Sequence, residues 1–428
     1  MIFKLLRKFL FCVTAIACIV TYFPKLLLNE TVRDTLPKSL DAFTALESLN
    51  VSTFEQFGPV HGPESIAQHN GRLVTGSVDG HLYELVVPDG TVKPLMKVPR
   101  FKSRPLGLKF DSKGVLFVVD INTGVYKVED VFGLKPTVNL VFDIQQTAAI
   151  EPGGQKPSRF LNDVAIVEKR SKNENGHILF ISDVSANYSP GDSIHTILRL
   201  DPGRLIRYDT ESRQVSELKD GGGGGGDGGH HFVTPNGVES SADGESVLFV
   251  ELLLRTVWRY RLKDGSLKRI ISGLPGEPDN IRRSAKGDTF WIAIINPRSQ
   301  SSSAVSSLDF FMARPLFRHF TVSVISFFGG VLEKLGQLLP GSVGSLLEEL
   351  GSSFKSLMIL FSTIFPSEGG MMLEIDIDGN IVSSIYSHSE NFSMISEVRE
   401  MPASTPNQRL FYLASVEKPY IRKLVIEN

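Results

Sequence analysis

The chain has 428 residues, of which 42% are hydrophobic and 21% charged, with a formal net charge of -2. So even a balance leaves no basic excess to neutralise phosphates and argues against a nucleic-acid partner. Both cysteines, Cys12 and Cys18, lie near the start, which removes disulfides, cysteine nucleophiles and cysteine-ligated zinc from the body of the chain.

Residues 1–8 carry Lys4, Arg7 and Lys8, and an apolar run from Phe9 to Pro24 follows, stopped by Lys25. Flanking leucines and snorkelling lysines extend the run to a transmembrane signal anchor over residues 9–28. The basic flank then makes 1–8 a cytoplasmic tail and predicts a single-pass type II protein with a lumenal or extracellular body. The alternative is a signal peptide cleaved at Ala15-Ile16-Ala17, which would release a secreted protein. Residues 29–53 read as a polar stalk. N-x-S/T acceptors at Asn29, Asn50, Asn187 and Asn391 fit a glycosylated lumenal body.

From residue 54 to 428 one pattern recurs: an apolar, β-branched strand, a turn, then a second strand of alternating character. Leu73-Val74-Thr75-Gly76 leads into Leu82-Tyr83-Glu84-Leu85, and Leu116-Phe117-Val118-Val119-Asp120 into Val125-Tyr126-Lys127-Val128. The pattern returns at Ile178–Asp183, at Val247–Glu251, at Thr289–Ile294 and at Leu410–Ala414. Six such units without helices between them predict an all-β fold, a closed six-bladed β-propeller that protects its strand edges by radial repetition. A β-sandwich would not explain the repeats.

Two insertions interrupt the units. Gly221 to Gly229, broken only by Asp227, reads as a flexible linker. A larger one spans residues 297–367, before the last blade, and contains apolar runs at Phe320–Leu332 and Leu357–Phe365. Neither run has the roughly 18 residues of a membrane span. Val331, Leu332, Leu335, Leu338 and Leu339 share one helical face, which predicts amphipathic helices packed over one mouth of the propeller. The same apolar character over 320–365 also suits an interfacial patch on the membrane that carries the anchor.

Oxygen-bearing residues sit at comparable turn positions across the units: Glu64, Asn162, Asn236, Asp279 and Asn280. In a propeller such positions converge on the axial channel. Two carboxylates and three amide oxygens are hard donors of the kind Ca²⁺ prefers, and nothing soft is available for zinc or copper. Asn and Asp at turns also serve simply to satisfy backbone amides; the recurrence at matching positions favours the metal.

Gly62-Pro63-Glu64-Ser65, Arg104-Pro105-Leu106-Gly107-Leu108, Asn162-Asp163, Pro235-Asn236-Gly237-Val238 and Leu274-Pro275-Gly276 through Asp279-Asn280-Ile281 resemble, in order, the motifs of the strictosidine-synthase-like family. More distantly the pattern is similar to paraoxonases and gluconolactonase-type propellers. The resemblance implies that Glu64, Asn162, Asn236, Asp279 and Asn280 match residues that bind a catalytic calcium in paraoxonases. Three departures stand out. Leu106, and a position near Ile121, take the places of paraoxonase histidines, and Ser65 that of an aspartate on a second calcium. Ser396 occupies the position of the strictosidine synthase catalytic glutamate, with Glu397 one residue off, so amine–aldehyde condensation is disfavoured.

The expected activity is a calcium-dependent, membrane-anchored hydrolysis of a small-molecule ester or lactone, arylesterase-like in type. His230, His231 and Asp163 are the candidate general bases, with Glu251 a further carboxylate in reach of the turn. No G-x-S-x-G elbow supports a serine hydrolase. The alternative is a non-catalytic propeller that binds a partner or lipid at its mouth.

Overall fold

The computed structural model describes residues 47–48, 55–87, 89–98, 104–150, 157–169, 176–218, 232–297, 307–355, 369–387 and 389–427. The anchor at 9–28, its tail, nearly all of the stalk, the glycine run at 221–229 and the apolar run at 357–365 lie outside the described residues. So do Asn29, Asn50, His230 and His231.

Six sheets of four or five strands follow one another along the chain. Their first strands are Ile66–His69, Pro105–Phe110, Phe160–Glu168, Pro235–Ser240, Gly276–Arg283 and Glu397–Met401. Each first strand lies against that of the next sheet, and Glu397–Met401 also touches Ile66–His69. One apolar cluster fills the space between each neighbouring pair of sheets, the sixth and the first included. The second strands explain why: Leu116–Asp120 and Ser246–Glu251 are buried at every residue. A strand covered on both faces reads as a continuous apolar run rather than an alternation. Outer strands such as Thr91–Lys97 are largely exposed.

The sixth sheet joins the two ends of the described body. Glu55–Phe57 pairs antiparallel with Ile421–Glu427, with Phe57 opposite Ile421. Hydrogen bonding between the early and late chain thus completes a sheet that the late chain alone would leave one strand short.

One helix departs from the expected pattern and three follow it. A short helix α1, Ser193–Arg199, lies between the second and third strands of the third sheet. The large insertion, placed by sequence before the last blade, falls between the second and third strands of the fifth sheet. It holds α2 (Ser307–Met312), α3 (Pro315–Leu338) and α4 (Ser342–Lys355). At 24 residues, with an 18-residue stretch of mean hydropathy 1.3, α3 is long and apolar enough to cross a membrane by length and composition. The apolar run Phe320–Leu332 is itself shorter than a span, and the helix reaches that length because it continues through more polar residues on both sides of the run. Leu308 and Met312 pack with Leu253, while Val322 packs with Ile194 and Leu198 of α1.

Candidate metal centre

The candidate ligands fall at one end of the first strands, and an irregularity in pairing puts them there. In the second to fifth sheets the register between first and second strands slips at the same place: Pro105/Leu108, Leu161/Val164, Pro235/Val238 and Pro278/Ile281. The slipped pairs are Leu106-Gly107, Asn162-Asp163, Asn236-Gly237 and Asp279-Asn280. A bulge of this kind breaks the strict alternation of a strand and re-aims consecutive side chains. Glu64-Ser65 and Ile395-Ser396 occupy the same place ahead of the first and sixth sheets' first strands. Two glycines let the strands close in: a Cβ on Gly237 would stand 2.5 Å from the Asn280 Cα, and one on Gly107 2.6 Å from the Asp163 Cα.

Glu64, Asn162, Asn236, Asp279 and Asn280 are all buried. The amide nitrogen of Asn280 donates to Glu64 Oε1 at 2.8 Å, and the Asn236 side chain hydrogen-bonds Asp279. Each amide thus spends its N–H on a carboxylate. What remains are Glu64 Oε2 and the Oδ1 atoms of Asn162, Asn236 and Asn280, all buried and without a hydrogen-bond partner. The three Oδ1 atoms are the only side-chain amide oxygens so left among the described residues. A buried acceptor with no donor costs about 1–3 kcal/mol, so four in one cluster call for a missing positive partner.

The electrostatics agree. Burial, then the neighbouring Asp279 and Asp163, raise Glu64 well above the ordinary carboxylate range. Burial, then Glu397, push Asp279 up to about 8. Hard, crowded carboxylate and amide oxygens fit a Ca²⁺ ion, whose charge would relieve the repulsion and whose coordination takes six to eight oxygens in flexible geometry. Among the described residues no group of three or more His, Cys, Asp or Glu is placed to hold a metal; the donor set here has two carboxylates and three amides.

Beside this cluster lies a second set of buried side chains that the sequence did not announce. Arg282 grips Asp163 with both terminal nitrogens, at 2.6 and 3.1 Å, and its Nε donates to Glu397 at 3.0 Å. Arg399 donates to the same Glu397 at 3.1 Å and to the Ile66 carbonyl at 3.0 Å. Lys109, of the second sheet, pairs with Glu239 of the fourth. Asp163 also accepts from the Val238 backbone at 2.8 Å. Asp163 is therefore a strut between three sheets. Glu251 is likewise committed, to Trp258 Nε1, Thr256 Oγ1 and the Val233 amide.

Leu106 and Ile121 are both buried. Ser65 Oγ donates to the Leu106 carbonyl, and Ser396 Oγ donates to the Glu64 backbone carbonyl at 2.8 Å. Of the sequons described, Asn187 and Asn391 are exposed.

Fold and site together define a mostly β chain of successive four- and five-stranded sheets with an oxygen cluster where their first strands meet. Residues 47–85 match the strictosidine synthase-like N-terminal family model and residues 171–265 the strictosidine synthase model. The resemblance to the strictosidine-synthase-like family is thus borne out. The chain is 30% identical over 278 residues to an adipocyte plasma membrane-associated protein from Salmo salar, covering 62% of this chain and 60% of that protein. The protein of that name from Gallus gallus is 30% identical over 310 residues, covering 69% and 66%. The match with the Salmo salar relative spans about three fifths of that protein's length. Among solved structures it is similar to a regucalcin described as calcium-binding, from Agrobacterium tumefaciens, with TM-score 0.46, 13% identity and coverage of 86% and 92%. A gluconolactonase from Xanthomonas campestris gives TM-score 0.47, 10% identity and coverage of 88% of both chains.

Proposed function

We propose that the six sheets are the blades of a closed propeller, and that the oxygen cluster at its mouth holds Ca²⁺ in a membrane-anchored hydrolase of esters or lactones, arylesterase-like in type. One observation carries the reading: four buried oxygens, on residues that the sequence singles out as ligands, lack any donor. Glu64, Asn162, Asn236, Asp279 and Asn280 would hold the ion. When bound, it supplies a Lewis-acidic centre for an ester carbonyl and for the oxyanion that develops on it, an effect worth several kcal/mol in a water-poor channel.

The chain's own residues prepare that site. Asn280 fixes Glu64 by one oxygen and leaves the other free. Asn236 steadies Asp279 in the same manner. The glycines at 107 and 237 bring neighbouring strands close enough for five donors from four sheets to share one space. Residues 9–28 would anchor the body as a type II protein; the relatives' name, plasma membrane-associated, supports a membrane location.

A second reading is favoured by one feature of the same site. Buried Leu106 and Ile121 stand at or near the positions of the paraoxonase histidines, which suits a propeller that holds calcium and binds a partner without turnover. Calorimetric titration of the full chain with Ca²⁺, followed by phenyl acetate and lactone hydrolysis with and without chelator, separates the two. Turnover lost on chelation and in Asn236→Ala supports the hydrolase. Bound calcium without turnover supports the second reading, and no calcium binding sinks both.

A further inference from the structure

We infer that α3 and α4 form a hairpin whose tip inserts into a lipid bilayer, one leaflet deep, and so sets the calcium mouth against the membrane. The packing of the two helices is the first observation. Gly329 and Gly336 on α3 face Gly344 and Gly351 on α4, and all four are buried. A Cβ on Gly336 would stand 2.7 Å from the Gly344 carbonyl, and one on Gly351 2.6 Å from the Gly329 carbonyl. Helices this close touch by backbone, so their large side chains cannot lie between them. Of the face expected to pack inward, Leu332 and Leu335 are half-buried while Val331, Leu338 and Leu339 are turned out, Leu338 being 78% exposed; Phe327, Val343 and Leu346 are exposed beside them, at 65%, 56% and 55%.

In water that arrangement is unfavourable, since apolar area stays wet while small residues are buried. In lipid it is the favoured one, because helices associate there by close contact of small residues and turn their leucines to the acyl chains. The second observation is the charge pattern. Residues 335–347, which make the tip, contain no Asp, Glu, Lys or Arg. Glu333, Lys334, Glu348 and Glu349 follow directly on both sides, at a depth where charges meet head groups. With both signs present in the collar, a zwitterionic surface suffices.

The third observation limits the depth. Phe317, Arg318 and Val322 of α3 are buried, and Ser326 Oγ lies 2.8 Å from His195 Nε2 of α1. The first half of α3 is thus held by the body, although the whole helix has the length of a span. The return helix has 14 residues, about 21 Å at 1.5 Å each, and carries two glutamates, so the hairpin dips rather than crosses. Its base lies at the cluster end of the sheets, because Leu308 and Met312 pack on Leu253, just beyond Glu251, which pairs with Pro235. The consequence for substrate is an ester dissolved in the bilayer rather than in water; this last step alone rests on the hydrolase reading.

The test is lipid labelling, which does not depend on activity. Full-length chain is reconstituted in phosphatidylcholine vesicles that carry an acyl-chain diazirine lipid, and labelled peptides are mapped in the membrane-bound fraction. Label on peptides spanning Val331–Leu350 is expected, falling about tenfold in a Leu338→Asp, Leu346→Asp variant, because charges at a lipid-facing tip oppose insertion. Membrane-bound protein with no label in this region would overturn the inference, as would cross-links between two copies at the same residues or a chain that does not bind the vesicles. Labelled hairpin with no ester turnover would leave the insertion standing and sink the substrate assignment.

Discussion

The first strands of the six sheets carry two buried polar regions within a few residues of each other, and they are built on opposite rules. At the strand starts, Glu64 Oε2 and the Oδ1 atoms of Asn162, Asn236 and Asn280 have no donor. A step along the same strands, Asp163, Arg282, Glu397, Arg399, Lys109 and Glu239 are joined from sheet to sheet by hydrogen-bonded ion pairs. Burial is equally deep in both. A buried charge is tolerated where the opposite charge is built in, as the arginine beside Glu397 shows, whereas a cluster of buried oxygens with neither donor nor cation beside it fits a partner from outside.

Breaking the paired region should have the largest effect. Arg282→Met leaves Asp163 and Glu397 buried without their cation. Removing one partner of such a pair costs about 3–5 kcal/mol, and urea unfolding should show that loss whether or not calcium is present. A variant of near wild-type stability would mean that water or a proton compensates these carboxylates and that the contrast between the two regions is not real.

The same region predicts an acid limb. Burial pushes the Glu239 carboxyl up, but Lys109, and after it Arg283 and Arg282, hold it at about 2 against an ordinary 4.5. A depressed folded pKa gives stability that is fully present above 4.5 and is lost as pH falls towards 2. The contribution is on the order of 3 kcal/mol at neutral pH. Glu239→Gln should therefore be less stable than wild type at pH 7, with the gap closing as the pH drops below 4.5. Parallel stability curves for the two proteins across that window would contradict the assignment.

The oxygen cluster was legible in the sequence and the paired network was not, for a physical reason. Each oxygen residue stands in a recognisable local setting: an amide or carboxylate at the turn into a strand, next to glycine or a branched apolar residue. The ion pairs join residues far apart in the chain, Arg282 to Asp163 and to Glu397, Lys109 to Glu239, and no local pattern announces a contact of 119 or 130 positions. Even Glu397, placed one residue off a family position, gave no hint of its two arginines. The strands were readable because doubly buried runs such as Val247–Val250 are continuous. Helix α1 was not: Ser193–Arg199 has only seven residues, too few for a helical period to stand out. In the insertion the leucine period was legible as helical, but the close contact of α3 with α4 was not, since the glycines that draw them together offer no hydrophobic signal.

Removing a carboxylate from the unpaired region should separate it from the network. Asp279→Asn keeps the shape and takes away one of two crowded charges, so the calcium-free protein should be no less stable than wild type. The stabilisation by calcium, about 2.7 kcal/mol at a hundred times the Kd for a single site, should then largely disappear. Thermal unfolding with and without Ca²⁺ reads both quantities. Loss of stability without calcium would place Asp279 with the struts.

The smallest expected effect tests the seam between the regions. Ser396 precedes Glu397 of the network, yet its hydroxyl donates to the Glu64 backbone carbonyl rather than to the carboxylate. Ser396→Ala removes one neutral hydrogen bond and leaves a buried carbonyl, a cost of about 1–2 kcal/mol. No ligand oxygen is removed, so calcium affinity should change by less than about threefold, well under the roughly 1.4 kcal/mol of a tenfold change. Calorimetry on the variant distinguishes the two roles. A small loss of stability at unchanged affinity makes Ser396 a support for the turn that carries Glu64. A loss of affinity beyond tenfold would make its hydroxyl part of the ion's environment, and the boundary between the open and the closed region would move one residue further along the sixth sheet.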